Sequence, residues 1–174
     1  ALADILRFCI SPDEFVPLRR EGEILQRYME IQRIRMSGAI SFRLDLPEEL
    51  ADCLTPKMIL QPLVENAVLH AEGMTKLTLR VFPLGDHAIF EVSDDGCGIP
   101  KERLKGLFTR MLPADDTASP GKHGMGIGLS VCAAIIKAHG GEIKAESRVG
   151  DGTTIRFWLE TESTDESTDL EENI

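Results

Sequence analysis

Hydrophobic positions change their period along this chain, and each change marks an element. Leu2, Ile5, Leu6 and Cys9 share one helical face, which predicts the last turns of a helix over residues 1–10, broken at Ser11-Pro12-Asp13. Pro17 suits a helix start, and Leu18, Leu25, Tyr28, Met29, Gln32 and Met36 keep near-helical spacing as far as Ser37-Gly38. Packing against the rest of the domain is the expected role of that helix. Residues 40–46 alternate as a half-buried strand that stops at Pro47. Thr55-Pro56 then predicts the cap and first turn of an apolar helix carrying Ile59, Leu60, Leu63, Val64, Ala67 and Val68.

Residues 77–82 and 88–92 read as strands joined by a turn at 83–86, and 101–108 as a short helix after Pro100. Residues 127–138 read as a helix ended by His139-Gly140-Gly141. Two further strands, 142–146 and 153–159, flank a turn at 149–152. The stretch 109–123 holds Pro113, Pro120 and Gly121 with little periodicity, and its length of about 15 residues is uncommon for a loop that is neither functional nor mobile. The expected fold class is α+β: a two-layer α/β sandwich whose mixed sheet is covered on one face by helices.

Composition narrows the function. The 174 residues are 43% hydrophobic, enough for one sizeable core. The net charge of −10 argues against nucleic acid, which needs a basic face. Seven acidic residues lie at 160–174 with no Lys or Arg, and subtracting them leaves −3 for the body. That end reads as a solvated acidic tail. Cys9, Cys53, Cys97 and Cys132 form no CxxC or Cys/His cluster, so reduced thiols are expected rather than zinc or a disulfide framework. No apolar run approaches the roughly 20 residues that span a bilayer, and no signal peptide is visible. A chain that opens at Ala1, mid-pattern, is expected to be a piece of something longer.

Three ordered runs carry the candidate chemistry: residues 60–70 (LQPLVENAVLH), 94–100 (DDGCGIP) and 124–129 (GMGIGL). Asn66 sits among apolar helix positions, where an amide costs free energy unless satisfied. It is either an ordinary hydrogen-bonded buried Asn or a metal ligand through its side-chain oxygen. Its neighbour Glu65 adds a carboxylate pointing about 100° away around the helix, a direction that can be plain solvent. Asp94 is either a turn residue or an acceptor for an exocyclic amine, and it lies 28 residues after Asn66, at a strand end before Gly96 and Gly98. Asp95 is the more exposed of the pair, and Cys97 reads as a packing thiol. Gly124, Gly126 and Gly128 lead into a helix without a preceding strand or a Gly-Lys-Ser/Thr end, which excludes a dinucleotide fingerprint and a P-loop. What remains is an anion-binding loop at a helix N-terminus. Lys122 and His123, just before it, are either phosphate contacts or solvated side chains.

On these residues the chain resembles the catalytic, ATP-binding domain of sensor histidine kinases in the GHKL superfamily. Residues 60–70 resemble the N box, 94–98 the G1 box, 124–128 the G2 box, and Gly152-Thr153 a later Gly-Thr element. Residues 61–67 (QPLVENA), with Val16-Pro17-Leu18-Arg19 and residues 28–32 (YMEIQ) upstream, resemble the LytS/YesM-type subfamily. The resemblance implies a Bergerat-type fold with ATP and Mg²⁺ as cofactors. It implies that Asp94 accepts the adenine amino group with help from Thr153, and that Asn66 holds Mg²⁺. It places Glu65 with Asn66 in the catalytic run. Gly96 and Gly98 would admit the nucleotide, and Lys122, His123, Gly124, Gly126, Gly128 and Leu129 would close on the phosphates, with 109–123 as a lid.

The resemblance also implies three regions: 1–38 ends a dimerisation and phosphoacceptor helix region with its linker helix, 39–160 binds ATP, and 161–174 is the tail. The partners it implies are upstream phosphoacceptor helices of the same or a partner subunit, a response regulator and a second copy of the full protein. The location it implies is the cytoplasmic side of a membrane-anchored sensor.

Two departures stand out. Relatives often carry Lys where this chain has Leu69, a gap that Lys122 or Arg110 could fill. None of His70, His87, His123 or His139 lies in the expected phosphoacceptor context, a Phe-Leu-Phe-Asn run. Two competing readings remain. A clamp-type GHKL ATPase is disfavoured because its usual carboxylate base, one turn before the Asn, is Pro62 here. A degenerate partner-binding module draws support from Leu69 and is opposed by the intact Asn66, Asp94 and glycines.

Overall fold

A computed structural model describes residues 2–36, 38, 40–109 and 128–161. Helix α1 (Leu2–Ile10) leads to a three-residue strand β1 (Phe15–Pro17) and the long helix α2 (Leu18–Arg35). Strand β2 (Ser41–Asp45), strand β3 (Leu54–Pro56), helix α3 (Gln61–His70), strand β4 (Lys76–Leu84) and strand β5 (His87–Asp94) follow. Short α4 (Lys101–Leu104), α5 (Gly128–Ala138), β6 (Ile143–Arg148) and β7 (Gly152–Glu160) complete it. Five strands form a mixed sheet in the order β2-β4-β5-β7-β6, and β1 and β3 pair as a separate ribbon. Among the described strands, only β2 and β4 run parallel. A parallel pair needs a crossover, and α3 lies within it.

Alternation along the strands sorts the two faces. Leu77, Leu79 and Val81 of β4, Phe90 and Val92 of β5, and Ile155, Phe157 and Leu159 of β7 point inward. They meet Leu63 and Val64 of α3 and Leu129, Cys132 and Ile136 of α5 in one core. Phe90 and Phe157 lie directly opposite in the ladder and stack with centroids 4.5 Å apart. The outer face carries charge. Asp45, Arg80, Glu91 and Arg156 form one row by register, and Arg156 Nη2 donates to Glu91 at 2.6 Å. The expected sandwich, helices on one face of a mixed sheet, is what forms.

Local boundaries differ from expectation in three places. Thr55-Pro56 does not cap a helix: Thr55 is buried in β3, opposite Val16, and α3 begins only at Gln61, with Pro62 in its first turn. The Pro-at-the-start logic holds for the second proline rather than the first. Helix α4 stops at Leu104 instead of running to 108, and hydrogen-bonded turns follow it through Thr109. In α1 the inward pair is Ile5 and Phe8, which pack with Val16, Ile24 and Met58, while Leu6 is 56% exposed, so the buried stripe of this helix is narrower than expected.

Candidate functional site

The C-terminal half of α3, the end of β5, the turn after it and the start of β7 enclose one cavity. Its walls include Leu63, Asn66, Val92, Asp94, Gly98 and Thr153. Asn66 is half-buried and faces this space rather than the core, which removes the ordinary buried-amide reading. Asp94 ends β5 opposite Thr153, so both side chains reach the cavity from neighbouring strands. Asp94 Oδ1 accepts the Gly96 N–H at 2.9 Å, which folds the chain back beneath the carboxylate. Burial pushes the Asp94 carboxyl above the ordinary aspartate range. The N–H groups of Gly96 and Thr153 oppose that shift, and nearby Asp95 adds to it.

Two glycines make the corner possible. Gly98 has φ +70°, and a Cβ there would lie 2.1 Å from the Arg148 carbonyl oxygen. Gly152 has φ +94°, and its Cβ would lie 2.0 Å from the Asp94 carbonyl oxygen. The Gly-Thr element is therefore what lets β7 pass close behind Asp94. Gly96 serves by size, since its missing Cβ would fall 2.6 Å from that of Ala71, just past the end of α3.

Ser147, unmarked in the sequence reading, ties these parts together. Its Oγ accepts the Ile99 N–H at 2.7 Å, donates to the Gly152 carbonyl at 2.8 Å and lies 3.0 Å from Thr153 Oγ1. With the serine proton directed at Gly152, Thr153 is the donor in their contact and keeps acceptor capacity toward the cavity. Asp95 is exposed, as expected, but it is engaged. It accepts from the N–H groups of Thr75 and Lys76 at 2.7 Å and from Thr75 Oγ1 at 2.6 Å, clasping the start of β4. Cys97 is not a packing thiol: it is exposed and lines the cavity, with Sγ 3.6 Å from the His70 carbonyl oxygen. It stays out of the core because the flanking glycines turn the chain outward.

The remaining candidates fall in different places. Glu65 is half-buried and accepts from Gln61 Nε2 at 2.7 Å, outside the residues that line the cavity. Gly128 opens α5 beside Pro62 of α3, and the Leu129 side chain is buried in the core, so only its backbone is available to a ligand. Lys122, His123, Gly124, Gly126, Arg110 and most of the 109–123 stretch lie outside the described residues. Among the described residues no group of three His, Cys, Asp or Glu could hold a metal by protein ligands alone. A cleft lined by apolar side chains with one acceptor carboxylate and one amide can take an aromatic base carrying an amino group.

Residues 51–163 match the family described as "Histidine kinase-, DNA gyrase B-, and HSP90-like ATPase". The chain belongs to this ATPase family. Within it, this domain is of the kind found in sensor histidine kinases. It is similar to the circadian input-output histidine kinase CikA of Synechococcus elongatus, with 38% identity over 63% of this chain and 14% of that protein. It is also similar to the adaptive-response sensory kinase SasA of Prochlorococcus marinus, with 33% identity over 76% of this chain and 35% of the relative. The chain thus spans about a third or less of these curated relatives. The solved catalytic domain of histidine kinase ThkA shares 25% identity at a TM-score of 0.62, covering 86% of this chain and 97% of that one. No described helix is long and apolar enough to cross a membrane.

Proposed function

We propose that this domain binds ATP with Mg²⁺ and donates the γ-phosphate to a histidine on upstream helices of the same or a partner subunit, for relay to a response regulator. The observation that carries the reading is the convergence of Asn66, Asp94 and Thr153, drawn from three separated runs, on one cavity. Asp94 accepts the adenine amino group, with Thr153 as a second acceptor. Asn66 holds the Mg²⁺, which neutralises phosphate charge when bound. Gly124, Gly126 and Gly128 with Lys122 and His123 cover the phosphates, and Glu65 acts beside Asn66 as the catalytic carboxylate. The full protein would work as a homodimer anchored at a membrane, with this domain on the cytoplasmic side. The LytS/YesM-type branch is proposed on residues 61–67 and their upstream partners. The similar proteins named above carry other names.

Calorimetric titration with ATP, with and without Mg²⁺, beside Asp94→Asn tests the site. Metal-dependent binding that the substitution strongly weakens supports it, and no binding by folded wild-type chain refutes it. Incubation with labelled ATP should leave the four histidines of this chain unlabelled. Acid-labile label on any of them would show that the acceptor lies within the chain.

A further inference from the structure

We infer that Glu21 and Lys57 are positioning residues that couple α1 to the nucleotide helix α3, an inference that rests on the nucleotide reading above. The chain reaches α3 from β3 through residues 57–60. Met58 in that stretch has φ +61°, the one positive φ at a non-glycine residue among the described residues. Such a conformation is sparsely populated and persists only where the surroundings hold it. Two charged side chains do so from opposite sides.

Lys57 grips α1. Its ammonium donates to the Cys9 carbonyl at 3.2 Å, the Ser11 carbonyl at 2.7 Å and Ser11 Oγ at 3.1 Å, which uses all three of its protons. The ammonium also lies 5.3 Å from the centre of the Phe8 ring. These acceptors sit at the C-terminal end of α1, where carbonyls lack helical partners and the dipole favours a cation.

Glu21, in the first turn of α2, holds the other side. It is only 2% exposed, and its two oxygens accept the N–H groups of Met58 at 2.5 Å and Leu60 at 3.3 Å. Leu60 is the residue that caps α3, so the carboxylate occupies the end of that helix that favours an anion. Met58 packs on a small apolar cluster of Ile5, Phe8, Val16 and Ile24, separate from the main core. Residues 57–60 are thus seated on α1 and α2 by contacts 37 to 48 residues distant in sequence. One turn further on, α3 packs in the main core, and it carries Asn66 to the cavity wall. A shift of α1 is transmitted to that wall through Lys57 and Met58.

Coupling of this kind is reciprocal, so nucleotide must stabilise α1 if α1 positions the nucleotide helix. The test is hydrogen exchange of the α1 amides with and without saturating Mg·ATP, run beside nucleotide affinity and melting temperature. Wild type should show exchange across residues 2–10 slowed about fivefold by nucleotide. Lys57→Met should lose that protection and bind nucleotide about fivefold more weakly, while the β5 and β7 amides stay as protected as in wild type. Lys57→Arg, which keeps donors for the α1 carbonyls, should restore both. Glu21→Gln, which retains one acceptor oxygen, gives an independent variant should Lys57→Met fail to fold, and it should weaken the protection.

Wild type that binds nucleotide with no change in α1 exchange overturns the inference, as does Lys57→Met that folds and retains both protection and affinity. Wild type that binds no nucleotide overturns the reading of the site, and the inference with it.

Discussion

The C-terminal end of α3 abuts a corner built by close backbone approach: Gly96 fits beneath Ala71, and in the same corner Gly98 and Gly152 let the Arg148 and Asp94 carbonyl oxygens approach where any Cβ would collide. The N-terminal approach to α3 is located by charge, with the carboxylate of Glu21 on one side of residues 57–60 and the ammonium of Lys57 on the other. Close-packed backbone tolerates no added volume and is indifferent to pH. A buried carboxylate tolerates a shape-conserving change and answers to protons. The two ends should therefore fail under different stresses.

Adding one methyl group at the C-terminal end should have the largest effect. Gly98→Ala meets both a positive φ and a carbonyl 2.1 Å away, so it should cost on the order of 4 kcal/mol in urea unfolding and remove nucleotide binding. A variant as stable as wild type would show that this corner yields.

The N-terminal end should instead respond to pH. Burial raises the Glu21 carboxyl from about 4.5 to about 7, against the pull of the Met58 and Leu60 N–H groups and of Lys57. The folded state then binds the proton more tightly than the unfolded chain, so the contribution of Glu21 to stability is fully present below about 4.5 and is lost as pH rises through about 7. Glu21→Gln has no proton to lose and should flatten that window by up to about 3 kcal/mol. Cys132, another titratable group close to Glu21 besides Lys57, has its thiol pushed up to about 12 by burial and by the nearby Glu21 and Glu65, so it does not titrate in this range. Parallel pH curves for the two proteins would remove Glu21 as the source.

Asp94→Asn sharpens the contrast because it changes ligand contact and leaves the packing alone. It should weaken ATP binding by about 2 kcal/mol, roughly thirtyfold in Kd, with little change in melting temperature. The wild-type affinity should also fall on acidification, starting at a higher pH than an ordinary aspartate would give, since the ionised carboxylate is the stronger acceptor and burial raises its pKa. Equal affinities of mutant and wild type at neutral pH would take Asp94 out of the site.

The outer sheet face supplies the smallest expected effect. Arg156→Ala loses a half-exposed partner of Glu91, which keeps Arg80 beside it, and should change stability by less than about 1 kcal/mol without touching nucleotide affinity. A larger loss would mean that the row from Asp45 to Arg156 acts as a network.

The sequence alone was enough to define the layers and to single out Asn66, Asp94, Gly98 and Thr153. Period-2 runs place β4, β5 and β7 and their inward faces, because alternation is a property of the strand itself. Gly98 and Gly152 were visible as a motif because the need for a missing Cβ is written in the residue type. Glu21 left a fainter trace, a carboxylate spaced with Leu18 and Leu25 on the buried stripe of a helix. Tertiary structure decided the rest. Whether Asn66 faced core or cavity depended on where β5 and β7 lie, and whether Thr55 capped a helix or joined a strand depended on Val16, 39 residues earlier. Ser147 and Lys57 acquire their roles only from carbonyls and N–H groups brought to them by other segments, and no local pattern encodes a partner so distant in the chain.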